Sequence, residues 1–214
     1  MAGAPRHRRG MTIGIHLVLS GYGTWLSNDL RGSGSVETRK EELRDLGEIH
    51  HGRKRIQPSR RELKAFYAEA EPLLDYPMLW FDTNEKRRAI GEAFGRAARE
   101  RGYTVWACAV CSNHGHLGLR VHRDDHVAMF DAFANAGRLA MLEFADVAEG
   151  HPVWASRPYA VLLTTPEEVK GRIDYIRQNP MKEGLPEQHW SFVVPYNGWP
   201  FHKRRGRGAR HAER

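Results

Sequence analysis

An α+β sandwich of ferredoxin-like type is what the sequence predicts, on three observations. Segments with the two-residue alternation of strands interleave with segments of helical periodicity. Their order along the chain is strand, long insertion, helix, two strands, helix, strand, helix. The two central strands are joined by Ser112-Asn113 alone, short enough for a hairpin and therefore antiparallel. The chain has 214 residues, enough to bury a full core. One domain is expected over 11–202, flanked by a disordered basic arm (1–10) and a disordered basic tail (203–214).

Each element has its own warrant. Residues 12–20 alternate, with Ile13, Ile15, Leu17 and Leu19 on one face and Thr12, Gly14, His16 and Val18 on the other. A half-buried strand follows, with His16 as a surface or sheet-face histidine. Residues 21–58 read as a long loop or insertion. Its Tyr22 and Trp25 imply that it is functional or packed on its own side chains, and 37–46 allows a short helix. Ser59 and Glu62 have capping-box spacing for a helix carrying Leu63, Phe66, Tyr67, Ala70, Leu73 and Leu74. Asp82 is the expected cap of the next helix, which lines Ala89, Ile90, Ala93, Phe94, Ala97 and Ala98 on one face and ends at Gly102. Strands over about 103–111 and 114–122 come next, then a helix over about 125–145 that turns Val127, Phe130, Phe133, Ala134, Leu142 and Phe144 inward. After a loop and strand within 152–163, Thr165-Pro166-Glu167-Glu168 opens the last helix. It should stop at Asn179, because Pro180 disfavours helical geometry in the residue before it. Trp190, Phe192, Tyr196, Trp199 and Phe201 are expected to pack the C-terminal segment onto the domain.

No apolar run approaches the roughly 18 residues of a membrane span, and the N-terminus lacks the apolar stretch of a signal peptide. A soluble cytoplasmic protein is expected. Cys108 and Cys111, three apart on a strand, point to opposite faces, which excludes a strain-free disulfide or a shared metal and leaves two reduced thiols. The formal net charge is +7, with much of the excess in Arg6, Arg8 and Arg9 and in the run from Lys203 to Arg214. Basic tails suit a polyanion or are simply solvated. A second cluster, Arg53, Lys54, Arg55, Arg60 and Arg61, lies inside the folded portion.

The chemistry centres on His114-Gly115-His116. Two residues apart on a strand, both imidazoles can aim at one ion, although such a pair also fits a polar strand face. On a helical wheel Val169, Ile173 and Ile176 form the buried stripe of the last helix, while Glu168, Arg172, Tyr175 and Asn179 share its flank. Packed beside the histidine strand, that flank could supply a third oxygen ligand from Asn179, or from Gln178, and a phenol close to the ion. A divalent cation with open positions polarises a phosphodiester while a phenolate attacks phosphorus. The covalent phosphotyrosine preserves the bond energy for rejoining, so the chemistry would be DNA strand transfer.

At these residues the sequence resembles the HUH superfamily of single-strand DNA nucleases, and specifically its single-tyrosine transposases, including the REP-associated ones. The matches are Ser112-Asn113-His114-Gly115-His116-Leu117 and the run from Tyr175 through Asn179-Pro180 to Leu185. Ile15 to Ser20 and Tyr22 to Leu26 are also similar to an N-terminal strand and loop of relatives, so the resemblance covers most of 12–202. It implies a ferredoxin-like fold and metal-dependent cleavage and rejoining of single-stranded, hairpin-forming DNA. Tyr175 would form a 5′-phosphotyrosine, and His114, His116 and Asn179 would hold Mg²⁺ or Mn²⁺. Arg53, Lys54, Arg55, Arg60 and Arg61 would neutralise the DNA backbone, and Tyr22 or Trp25 could stack an unpaired base or tuck against the sheet. A monomer or homodimer is expected. The chain departs from the pattern once. The centre of the triplet is usually bulky and hydrophobic, and Gly115 is expected to remove a core contact and loosen the strand. Two other readings remain: a DNA-binding protein that no longer cuts, for which Gly115 is the only sequence support, and a phosphodiesterase that activates water at His114 and His116.

Overall fold

Four strands, β1 (Gly14–Ser20), β2 (Val105–Val110), β3 (His114–Arg120) and β4 (Tyr159–Leu163), pair in the order β2-β3-β1-β4. Every neighbouring pair is antiparallel. Helices α1 (Arg60–Ala70) and α2 (Asn84–Arg101) lie between β1 and β2, and α3 (His126–Met141) lies between β3 and β4. This is the ferredoxin-like arrangement that the element order predicts, with α4 (Pro166–Lys182) appended. The computed structural model describes residues 11–38 and 40–201, so the arm at 1–10 and the tail at 203–214 lie outside the described residues. No helix among the described residues is long and apolar enough to cross a membrane.

Strand alternation and register divide the sheet into two faces. Leu17 lies opposite Leu117 and Ile15 opposite Leu119, and this face packs on Ile90, Phe94, Met129 and Phe133 of α2 and α3. On the other face His16 lies opposite Gly118 and Val18 opposite His116. Here α4 lies down, with Ile176 against Ala107 and Ala109 and Val169 against Ile13, Trp106 and Leu163. The first strand is therefore buried on both faces rather than half-buried, and His16 is only 2% exposed. Gly118 permits the close approach, since a Cβ there would stand 3.2 Å from Ile176 Cδ1.

Gly115 does not loosen the strand. It faces α2, and a Cβ built on it would lie 3.1 Å from Phe94 Cε2, so the Phe94 ring already fills the volume that a larger residue would occupy. The core contact is retained with its bulk moved to the helix. Gly115→Leu should therefore overpack the core and cost about 1–3 kcal/mol, read as a lower urea midpoint. Adding Phe94→Leu to that variant should recover part of the loss, whereas an unchanged midpoint in the single variant would contradict this packing.

Helix ends largely follow local sequence. Both capping boxes, Ser59 with Glu62 and Thr165 with Glu168, are formed, and Gly102 closes α2 in the left-handed conformation at φ 71°. Three expectations are corrected. Thr83, not Asp82, caps α2 by accepting from Lys86 N at 3.2 Å, while Asp82 pairs with Lys86 Nζ at 3.1 Å. Val127 is exposed, because the buried stripe of α3 is centred on Phe133 and Gly137 and residue 127 falls just outside it at 100° per residue. Finally, α4 does not stop at Asn179. It runs through a buried Pro180 to Lys182, and the Pro180 carbonyl accepts from Glu183 N and Leu185 N at 3.0 and 2.9 Å.

The C-terminal segment covers the outer edge of β2. The Gln188 carboxamide pairs with both backbone groups of Val110 at 2.8 and 2.7 Å, and Val194 N donates to Val105 O at 2.9 Å. Trp190 and Phe192 press into notches at Gly91 and Gly95, where a Cβ would meet their rings at 2.1 and 2.6 Å. Tyr196 packs on Trp106 and Trp199 lies under Arg120, but Phe201 is exposed, contrary to expectation. The 21–58 insertion packs partly on its own side chains and partly on α1. Leu26 and Leu43 join Phe66 and Ala70 in a small separate core, and the helix expected in 37–46 is a 3-10 turn over Glu41–Leu46.

Candidate active site

The hairpin joining β2 to β3 and the C-terminal half of α4 meet at one end of the second sheet face. His114 and His116 project together from β3, and their Nε2 atoms lie 2.9 Å apart. His114 Nδ1 faces Asn113 Oδ1 at 2.7 Å, while His116 Nδ1 faces His16 Nε2 at 3.0 Å. The position of His16 follows from register: Val18 pairs with His116, so His16, two residues earlier, is a diagonal neighbour on the same face. His16 is the functional candidate that sequence reasoning missed. Its signal was the shared parity of His16 and Val18, which becomes informative only once the β1–β3 register is known.

The ring nitrogens admit two proton arrangements. His114 must donate from Nδ1 to the Asn113 carboxamide oxygen, so its Nε2 carries a lone pair. In one arrangement His16 Nε2–H donates to His116 Nδ1, and His116 Nε2–H donates to His114. In the other, His116 Nδ1–H donates to His16, and two lone pairs face each other across 2.9 Å, which requires a cation between them. That separation matches two adjacent ligands at about 2.1 Å from an octahedral ion, which lie about 3 Å apart. The donor set fits a divalent metal, and His16 would orient His116 as an outer partner.

Burial keeps these rings neutral, the form a metal needs. Desolvation depresses His116 well below its usual range, aided by His114 and His16, with Asn179 pulling weakly the other way. Desolvation also lowers His114, opposed by Glu183 and reinforced by Arg31. His16 is lowered to about 3 by burial, then by Arg172 and His114. A folded pKa of about 3 against 6.5 unfolded means that the unfolded chain binds the proton first. Stability therefore falls as pH drops below about 6.5, by up to about 1.4 kcal/mol per pH unit for each such histidine. In chelator, His16→Gln should flatten the slope of unfolding free energy between pH 6.5 and 5 by about a third. An unchanged slope would contradict a neutral buried His16.

Tyr175 and Asn179 arrive on α4. The Tyr175 ring lies 5.7 Å from that of His116 and 5.9 Å from that of His16, centroid to centroid, and is 40% exposed. Asn179 is buried, its Nδ2 donates to Tyr175 O at 3.2 Å, and its side chain also bonds to His116. Gln178, the alternative ligand, is exposed. Two cations flank the phenol: Lys182 Nζ is 5.1 Å and Arg172 Cζ 5.4 Å from the ring centroid. Lys182 and Glu183 belong to the run that resembles the tyrosine helix but have no role in the sequence reading, and the continuation of α4 past Asn179 brings both to the site. The Glu183 carboxylate accepts from Ser112 N and Oγ at 3.1 and 2.8 Å and lies 3.9 Å from His114 Nδ1. Cys111, His114 and Glu183 could hold a metal ion, with ligand atoms within 4.8 Å of one another. The Cys111 thiol, however, is pushed up to about 12 by burial and by Glu183, which disfavours the thiolate. Cys108 and Cys111 are both free and buried.

The basic cluster is distributed around the insertion. Arg53, Arg55, Arg60 and Arg61 are exposed, and Lys54 is half-buried with its backbone N donating to Arg31 O at 2.9 Å. The two loop aromatics differ. Tyr22 packs against Tyr76 and His151, whereas Trp25 is 45% exposed.

No protein-family model and no curated protein matches the chain. Among solved structures, that of a REP-associated tyrosine transposase bound to a REP hairpin is similar over 89% of this chain and 81% of its own, at 13% identity and a TM-score of 0.44.

Proposed function

We propose that the chain cleaves and rejoins single-stranded, hairpin-forming DNA through a tyrosine intermediate, as a single-tyrosine transposase of the HUH type. The observation that carries this reading is the meeting of the two facing Nε2 atoms of His114 and His116 with the buried Asn179 and the Tyr175 phenol where α4 crosses β3. His114, His116 and Asn179 would hold Mg²⁺ or Mn²⁺, which when bound supplies Lewis-acid polarisation of a phosphate oxygen. Tyr175 Oη forms a bond to phosphorus and gives up its proton to solvent as the P–O3′ bond breaks and the 3′-oxygen takes up a proton. The product is a 5′-phosphotyrosine and a free 3′-OH, and reversal with a different 3′-OH transfers the strand. Arg172 and Lys182, close to the Tyr175 ring, would pair with the scissile phosphate. His16 orients the His116 ring and, by accepting from its Nδ1–H, would leave Nε2 free for the ion. Arg53, Lys54, Arg55, Arg60 and Arg61 neutralise the flanking DNA.

Gly115, the only sequence support for a protein that no longer cuts, is compensated by Phe94. The test uses hairpin oligonucleotides drawn from the DNA flanking the gene, labelled at either end and incubated with Mg²⁺ or EDTA before denaturing gel electrophoresis. Retention of the 3′ label alone, in Mg²⁺ only, is expected. Free cleaved product without label on the protein would point instead to activated water.

A further inference from the structure

We infer that Trp25 is a stacking platform for one unpaired nucleotide beside the scissile phosphate, held in place by a buried Asp29–Arg31–Tyr67 network. The inference rests on the strand-transfer reading and gives it a base-binding position. The Asp29 side chain is fully buried and accepts from Arg31 Nε at 2.8 Å and Nη2 at 2.7 Å, a bidentate pair of fixed geometry. Tyr67, on α1, hydrogen-bonds both Asp29 and Thr24 O, and Arg31 Nη2 reaches Thr24 O and Tyr67 Oη at 3.3 and 3.0 Å. The guanidinium plane pinned in this way lies 3.8 Å from the centre of the Trp25 ring, covering one face. The ring edge is tied down as well, since Nε1 donates to Gly32 O at 3.2 Å.

A fully buried carboxylate paired with a partly exposed guanidinium is a costly way to fill a loop core, and apolar residues would serve as well. Here the pair immobilises an aromatic side chain that stays 45% exposed. Arg31 covers one face of that ring, and Trp25 still keeps 45% of its surface exposed. A flat ring fixed at edge and back loses little freedom when a base stacks on it, and every base offers a π-face. The loop is anchored beside the histidines. Gly21 N and Thr24 Oγ1 both donate to Asn113 O, at 2.7 and 3.3 Å, and Asn113 Oδ1 contacts His114. The Arg31 charge is felt at His114, and Lys54 N bonds to Arg31 O, so the basic run 53–55 begins at the same place. A strand reaching His114 from that run would pass Trp25. Arg31, Asp29 and Tyr67 are positioning residues in this account.

The experiment uses the full chain carrying Tyr175→Phe, so that DNA stays uncut, with a stem-loop oligonucleotide bearing an oligo(dT) flank at low salt. 2-Aminopurine is placed at one flank position at a time, and an abasic nucleotide is placed there in parallel. One position should show fluorescence quenching that is lost in Trp25→Leu and kept in Trp25→Tyr, and an abasic nucleotide there should weaken binding about tenfold unless Trp25 is already Leu. Arg31→Lys, which cannot reproduce the planar fork, should reduce the quenching while the fold, read by circular dichroism, is unchanged. Binding with no quenched position, or equal abasic penalties with and without the Trp25 ring, would overturn the platform and leave strand transfer standing. Quenching at one position with no adduct from the unsubstituted chain would uphold the platform and overturn the nucleophile. Absence of any DNA binding would overturn both.

Discussion

Tyr175→Phe should abolish covalent protein–DNA adducts and lower strand cleavage by at least about a thousandfold, while DNA affinity changes by less than about twofold. The substitution removes one oxygen from a side chain that is 40% exposed on the flank of α4, and Val169 and Ile176, which seat the helix on the sheet, are untouched. The packing on His16 and His116 and the approach of Arg172 and Lys182 all involve the aromatic face or edge rather than the hydroxyl. A loss of cleavage accompanied by a comparable loss of binding would assign Tyr175 to DNA contact instead. Cleavage that survives the change would place the chemistry at activated water held near His114 and His116.

His116→Ala should be nearly as damaging, by a different route. It removes one of the two facing Nε2 atoms and the hydrogen bond that His16 makes to the His116 ring. Cleavage should fall by about a thousandfold or more, and the response to Mn²⁺ titration should disappear, with DNA binding in EDTA preserved. His16→Gln separates orientation from ligation, since loss of an outer partner typically costs about 10–100-fold in metal affinity. That variant should regain activity at high Mn²⁺ where His116→Ala does not. Equal rescue of both would mean that His116 is no ligand.

The features legible in the sequence are those set by neighbours along the chain. Ser59 with Glu62, Thr165 with Glu168 and Gly102 mark helix ends through bonds that span a few residues, alternation locates β1, and the other three strands fall inside the segments read as extended. His114 and His116 share a face because they are two apart, and Tyr175 and Asn179 share a flank because they are four apart. Features that depend on a partner distant in sequence were hidden. His16 reads as an ordinary sheet-face residue until the β1 register places it 3.0 Å from His116, a hundred residues on. The consequence of Gly115 was misjudged because the compensating Phe94 lies on another element. The places of Lys182 and Glu183 depend on α4 running past Pro180, where Glu183 N and Leu185 N bond to the Pro180 carbonyl. The Asp29–Arg31–Tyr67 network joins a loop without periodic signature to α1, and nothing along the chain pairs the two.

The central claim is that Tyr175 itself becomes bonded to DNA. The most direct test is mass spectrometry of the Tyr175 peptide after incubation of the chain with its hairpin DNA and Mg²⁺, followed by nuclease trimming and proteolysis. The account predicts that this peptide gains the mass of a 5′-linked nucleotide, that fragmentation places the mass on Tyr175, and that EDTA prevents it. Cleaved DNA accumulating with a free 5′-phosphate while the Tyr175 peptide stays unmodified would contradict it.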